Sequence, residues 1–141
     1  MLIREANQDD LEGWIKLRQK LWNRTYETNL SEAEEILASQ LQTAFLLLGE
    51  ENTPVGFIEG ALYLEDTQKY GYVEGWYVKP EFRGQGLGGE LMDTLELWIL
   101  HHSISLVLSD TIPKEYPLSP AAHLRQGFEE LMNIQVYIKK L

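Results

Sequence analysis

At 141 residues, 44% of them hydrophobic and 11% aromatic, the chain is long enough to bury a real core and is most simply one domain, residues 1–141. A net charge of −10, from 22 acidic against 12 basic residues, argues against a nucleic-acid partner and favours cationic ones, although acidity also serves plain solubility. The absence of cysteine removes disulfides, thiolate metal sites and a cysteine nucleophile, and His101, His102 and His123 are too few and too scattered to hold a metal. No apolar run has membrane-spanning length and the N-terminus lacks an export signal, so a soluble, cytoplasmic protein is expected.

Residues 2–5 read as a first strand. Asn7 then stands as an N-cap with Asp10 three residues on, and Ala6 and Leu11 are placed as a hydrophobic staple. Leu11, Trp14, Ile15, Leu21 and Trp22 recur at helical spacing, which predicts a helix to about Trp22. Trp22 ends that pattern beside the polar stretch 23–29, where it can line a cleft as readily as close a core. The Ser31-Glu32-Ala33-Glu34 run has the form of a capping box and predicts a second, short helix ending near Gln40.

An almost continuous apolar run at 43–49, a second at 55–64 and a third ending at Val78, separated by polar turns, predict a three-strand meander. Next come Lys79-Pro80 and the loop Arg83-Gly84-Gln85-Gly86-Leu87-Gly88-Gly89. Leu87, Leu91, Leu95, Trp98 and Ile99 then mark one face of a helix to about His101. A buried-type strand at 104–109 leads into a loop with Pro113, Pro117 and Pro120. Ser119 is placed to cap a last helix closed by Gly127 at a C′ position, and residues 128–131 and 134–140 read as a closing pair of strands. The predicted order is β-α-α-β-β-β-α-β-α-β-β, with no repeat, linker or domain boundary.

The strand–glycine loop–helix junction at 72–89 carries the clearest chemistry. The first N–H groups of a helix lack intrahelical partners and lie at the positive end of its dipole, so an anionic phosphate satisfies both. Glycine reaches unusual backbone angles and has no Cβ to hold a ligand away, and Arg83 can add a charged fork. A glycine-rich turn with a solvated arginine is the plainer alternative. No Lys-Ser or Lys-Thr pair ends the loop, as a nucleotide-triphosphate loop requires, and no acidic residue follows where a dinucleotide fold would place it.

Arg83-x-x-Gly86-x-Gly88 resembles the Gln/Arg-x-x-Gly-x-Gly/Ala signature of the GCN5-related N-acetyltransferase superfamily, and Gly127-Phe128-Glu129 matches a Gly-Phe pair common after its last helix. The element order is also similar, over essentially the whole chain. The resemblance implies an α/β fold with a central mixed, mostly antiparallel sheet flanked by about four helices. It implies acetyl-CoA as co-substrate, with Trp76, Tyr77 and Val78 along the pantetheine arm, residues Arg83, Gly84, Gln85, Gly86, Leu87, Gly88 and Gly89 around the pyrophosphate, and Ser119 as a further cofactor contact.

Within the superfamily the chain is similar to the small aminoglycoside 6′-N-acetyltransferases. The likeness lies in Leu17-Arg18-Gln19-Lys20-Leu21-Trp22, Glu34-Glu35-Ile36-Leu37, Glu74-Gly75, Ser109-Asp110-Thr111 and His123 before Gly127-Phe128-Glu129-Glu130, with a shorter turn at 65–71. It implies a cationic amine substrate contacted by Trp22, Tyr26, Glu74 and Asp110, an antibiotic-resistance activity, and a homodimer, for which the apolar segment 134–138 offers an edge to cover.

Acetyl transfer from a thioester to an amine needs an uncharged amine, an oxyanion donor and a proton for the leaving thiolate, but no covalent intermediate. Glu74 and Asp110 are the expected groups to hold and deprotonate the amine; their plainer uses are an edge-strand charge and a turn-forming Asp. His123 stands where many members place a tyrosine acid, and can protonate the thiolate or simply face solvent; Tyr116 and Tyr137 remain open as substitutes. The same chemistry on a polyamine or peptide amine, and a non-catalytic acyl-CoA-binding module, stand as alternatives.

Overall fold

A computed structural model describes residues 1–132 and 134–141. The chain forms two compact units, Met1–Asp110 and Thr111–Leu141. In the first, five strands lie side by side in chain order: β1 (Leu2–Glu5), β2 (Gln42–Leu48), β3 (Pro54–Leu64), β4 (Lys69–Val78) and β5 (Val107–Ser109). The first three pairings are antiparallel and the last, β4 with β5, is parallel. Helices α1 (Leu11–Leu21), α2 (Tyr26–Ala38) and α3 (Leu87–His101) belong to this unit, and α4 (Ser119–Arg125) to the second.

Both faces of the sheet are covered, which is why β2 and β3 read as continuous apolar runs rather than alternating ones. On one face Ala44, Leu46, Leu48 and Phe57 pack with Trp14 and Leu17 of α1 and Ala33 and Ile36 of α2. Against the other lies α3, whose Leu91, Met92, Leu95 and Ile99 are fully buried. Glycines let the helix approach: a Cβ on Gly60 would stand 2.5 Å from Leu95 Cδ1, and one on Gly71 would be 2.4 Å from Ile99 Cδ1.

The expected start at Asn7 holds in detail. The Asn7 side chain accepts from the N–H of Asp9, and the Asn7 N–H donates to the Asp10 carboxylate, closing a 3₁₀ turn that leads into α1. Asp10 also receives a two-pronged bond from Arg4, at 2.7 and 2.8 Å, which holds its carboxyl below the usual carboxylate range. A depressed folded value means that this contribution is complete above the unfolded value, about pH 4, and lost as pH falls through the folded one. Asp10→Asn is therefore expected to cost about 1–2 kcal/mol at pH 7 in urea melts. That deficit should close once the pH is low enough to protonate Asp10 in the wild type; an equal deficit at pH 7 and in strong acid would refute the attribution.

Four expectations are corrected. Helix α2 begins six residues earlier than the Ser31 box indicates, because Thr25 caps it: its hydroxyl accepts from the N–H of Thr28. Ser119 is the first residue of α4 rather than its cap, Leu118 holds the cap position and no side chain bonds there. The closing strands expected at 128–131 and 134–140 are absent among the described residues, whose backbone there joins no ladder. The apolar pattern was real, but a strand also needs a neighbour to bond. Strand β5 is likewise shorter than 104–109: its ladder with β4 covers Val107–Ser109, and Leu106 just before it accepts from the Gly71 N–H at 2.8 Å.

Candidate active site

The register of β3 against β4 slips in the middle. Glu59 faces Gly75 while its neighbour Gly60 faces Val73, so Glu74 is an extra residue with no partner across the ladder. The slip inverts the alternation of β4: Gly71, before it, touches Ile99 of α3, whereas Gly75, also odd-numbered, touches Trp22 and Phe57 on the opposite face. On the other edge the parallel pairing with β5 ends at Val73 and Ser109, one residue before Glu74 and Asp110. Among the described residues the ladder between β4 and β5 does not continue past Val73 and Ser109, so the two strands part at the bulge. Ligands collect at such parting points at the carboxyl ends of parallel strands.

Two tyrosines orient the two carboxylates. Tyr63 Oη donates to Glu74 Oε1 at 2.9 Å, and Tyr72 is hydrogen-bonded to Asp110. The tyrosine rings meet edge to face with centroids 6.0 Å apart, and Tyr70 stacks on Tyr63 at 5.1 Å. The bond to Glu74 raises the Tyr63 phenol above its ordinary range, and burial followed by the bond to Asp110 raises Tyr72. Both phenols thus stay protonated as donors, and both carboxylates, exposed at the surface, keep acceptor capacity for a cation. Tyr63 and Tyr72 were not foreseen; tyrosines spaced along two paired strands next to acidic residues were the available signal.

The glycine loop has the geometry its residues imply. Gly84 and Gly86 adopt left-handed backbone at φ +78° and +80°, and a Cβ on either would meet nothing within 4 Å, so the space before the loop is open. Gly86 is the N-cap of the 15-residue α3 and supplies no side-chain cap to its first N–H groups. Trp76 Nε1 donates to the Gly88 carbonyl at 3.0 Å, fastening the end of β4 to the first turn of α3. Arg83 is held by its Nε on the Val78 carbonyl at 2.7 Å, with its guanidinium 5.5 Å from the Tyr77 ring, so its charge stands beside the loop. A helix N-terminus whose N-cap glycine offers no side-chain acceptor, reached directly from the end of a strand, can take a phosphate.

Of the remaining expected residues, Trp22 sits at the end of α1 against Gly75, next to the bulge, and Tyr26 opens α2 at 40% exposure. Ser119 and His123 fall in the second unit. There the His123 Nδ1 lies 2.8 Å from the Ser119 carbonyl, and its ring packs on Phe128 with centroids 5.3 Å apart. The Ser119 carbonyl can only accept, so Nδ1 carries the proton of this bond. Gly127 at φ +88° closes α4 as expected. Surface concavities of about 440 and 300 Å³ lie along α2 and at the β3–β4 turn, away from the parting of β4 and β5.

Residues 9–128 match the family model described as the acetyltransferase (GNAT) family. The chain belongs to the GNAT acetyltransferase family. Among GNAT proteins it is 32% identical to an aminoglycoside N(6′)-acetyltransferase type 1 of Stenotrophomonas maltophilia, over 97% of this chain and 91% of that one. The crystal structure of apo aminoglycoside antibiotic 6′-N-acetyltransferase AAC(6′)-IG from Acinetobacter haemolyticus superposes with a TM-score of 0.89 at 27% identity, covering 100% and 99% of the two chains. That of AAC(6′)-Iy in complex with the bisubstrate analog CoA-S-monomethyl-acetylneamine gives 0.86 at 29% identity, covering 99% and 98%. The fold is that of these GNAT enzymes, an α+β architecture around a mixed sheet. Among the described residues no helix is long and apolar enough to cross a membrane.

Proposed function

We propose that this protein, acting as one catalytic domain over residues 1–141, is an acetyl-CoA-dependent N-acetyltransferase whose substrate is the 6′-amine of an aminoglycoside. The observation that carries the reading is the pair of tyrosine-anchored carboxylates, Glu74 and Asp110, where β4 and β5 part, on the strand that leads to the uncapped end of α3. Relatives named aminoglycoside N(6′)-acetyltransferase support the substrate, and a related enzyme with a bound CoA–neamine analog supports the donor.

In this reading acetyl-CoA lays its pantetheine arm along Trp76, Tyr77 and Val78 and its pyrophosphate on the N–H groups of Leu87, Gly88 and Gly89, with Gly84, Gln85 and Gly86 shaping the approach and Arg83 adding charge. Glu74 and Asp110 receive the ammonium groups, and one of them takes a proton from the reacting nitrogen, directly or through water. The amine attacks the thioester carbonyl, the C–N bond forms, and the tetrahedral species expels the CoA thiolate. His123 is the proposed proton source for that thiolate; Ser119 is proposed beside the cofactor, and Trp22 and Tyr26 beside the amine.

Thiol release measured with acetyl-CoA and kanamycin, a polyamine and a peptide amine tests this. Turnover with kanamycin and little with the others is expected; a polyamine or peptide preference would replace the aminoglycoside, and cofactor binding without any turnover would leave an acyl-CoA-binding module. The proposed setting is the cytoplasm, where acetyl-CoA is available.

A homodimer is the proposed assembly. Leu131, Met132, Ile134, Val136, Tyr137 and Ile138 are 64–89% exposed, an apolar run that gains from a cover. Light scattering is expected to give twice the chain mass, and a monomer at assay concentration would refute this.

A further inference from the structure

Arg18 and Glu59 are 1% and 2% exposed and lie 41 residues apart, yet Arg18 Nη1 reaches Glu59 Oε1 at 2.7 Å and Oε2 at 2.8 Å. Trp14 Nε1 donates to Oε2 as well, at 2.9 Å. The rest of the guanidinium is engaged by α2: Nε donates to Asn29 Oδ1 at 3.1 Å, and Nη2 lies 3.2 Å from Glu32 Oε2. Asn29 is held in turn through its Nδ2 on the Thr25 carbonyl at 3.1 Å. Burial pushes the Glu59 carboxyl up, opposed by the Arg18 charge and the Trp14 N–H.

Such a pair is a weak device for stability, because apolar residues of similar volume usually hold a core equally well or better. What it does supply is a guanidinium plane fixed from several directions. Trp14, Arg18 and Trp22 follow one another at four-residue steps along α1, so they share one row of the helix surface. The Arg18 guanidinium lies 4.7 Å from the centroid of the Trp22 ring, and Arg24, bonded to Glu32 at 2.8 Å, lies 5.0 Å from it. The far edge of the indole meets β4 at Gly75, where a Cβ would come within 2.5 Å of Cη2 and 2.8 Å of Cζ2. Gly75 directly follows the bulge residue Glu74.

We infer that the buried Arg18–Glu59 pair is a positioning device: it holds the Trp22 indole against Gly75 and so fixes the wall of the amine site beside Glu74. This rests on the acetyltransferase reading above. The charges suit a cationic substrate, since two guanidiniums, Arg18 and Arg24, are matched by two carboxylates, Glu59 and Glu32. Trp22 is thereby stacked on cations without leaving net positive charge to repel an ammonium group. A cation on an indole face is an attraction that a plain aliphatic side chain does not reproduce.

The test uses the full chain carrying Arg18→Met with Glu59→Leu, a pair of apolar replacements expected to fold, and separately Arg18→Lys, which leaves a cation for Glu59 but removes the planar fork. Indole N–H spectra of ¹⁵N-labelled protein, with the Trp22 signal assigned by its loss in Trp22→Phe, report the ring directly. The Trp22 signal is expected to shift or broaden in both variants, with KM for kanamycin raised about tenfold and KM for acetyl-CoA unchanged. A folded variant whose Trp22 signal stays in place, or whose kanamycin KM is that of the wild type, overturns the inference. Should the double variant not fold, Arg18→Lys decides by the same readings. If the wild type acetylates no aminoglycoside, the functional reading falls and the indole signal alone decides whether the pair positions the ring.

Discussion

Neutralising either carboxylate, as Glu74→Gln or Asp110→Asn, is expected to lower aminoglycoside turnover by about 10²-fold or more, the scale of a lost acid–base group. The fold should hold, because each amide retains an oxygen to accept the tyrosine hydroxyl that now bonds the carboxylate, Tyr63 for Glu74 and Tyr72 for Asp110. Acetyl-CoA affinity should barely change, since the proposed pyrophosphate site lies beyond β4 at the start of α3, Leu87–His101. Because either carboxylate alone can still recruit an ammonium group, the double variant should lose less than the product of the two single losses. The Asp110→Asn deficit should also shrink at high pH, where the free amine needs no base. Thiol release against pH, with the three variants side by side, measures all of this. Full activity in both single variants would return the two residues to edge-strand and turn roles.

Which of these features the sequence disclosed follows from how local each one is. The glycine loop was legible because three neighbouring requirements, a strand before it, left-handed glycines within it and a helix after it, all write themselves into a dozen consecutive residues. Strands β2 to β4 were legible as apolar runs bounded by turns. The bulge at Glu74 was not: apolar and aromatic residues fall on both faces of β4, so inverting the alternation after Val73 leaves no mark on the pattern. The start of α2 was misplaced because Ser31 and Glu34 imitate a cap, while Thr25 is followed by polar residues that mask the first turn. The bond from Arg18 to Glu59 spans 41 residues, and no local periodicity announces it. Arg18 instead interrupts an apolar row between Trp14 and Trp22, which in retrospect was the clue that something buried had to meet it. The closing strands show the opposite failure, where a strand-like composition was read correctly but pairing is a property of neighbours.

Gly86→Asp is expected to abolish measurable acetyl-CoA binding, a loss of at least about 10²-fold, while leaving a folded protein. The position has φ +80°, and Asp is among the few residues that tolerate the left-handed region, at a cost of roughly 1–2 kcal/mol. The added Cβ meets nothing within 4 Å, so no packed neighbour has to move. What the new side chain does is functional. Gly86 is the N-cap of α3, so a carboxylate there stands beside the N–H groups proposed to receive the phosphate. It places a negative charge where the pyrophosphate is proposed to sit, so the helix end becomes repulsive to it. Gly86→Ala separates the two effects: it carries the backbone strain and the Cβ but neither an acceptor nor a charge, and should weaken binding far less. Calorimetric titration of both variants with acetyl-CoA, alongside thermal melts that establish folding, decides the point. Wild-type affinity in a folded Gly86→Asp protein would remove this loop from the cofactor site, whereas equal losses in the two variants would assign the effect to backbone geometry rather than to the N–H groups and their field.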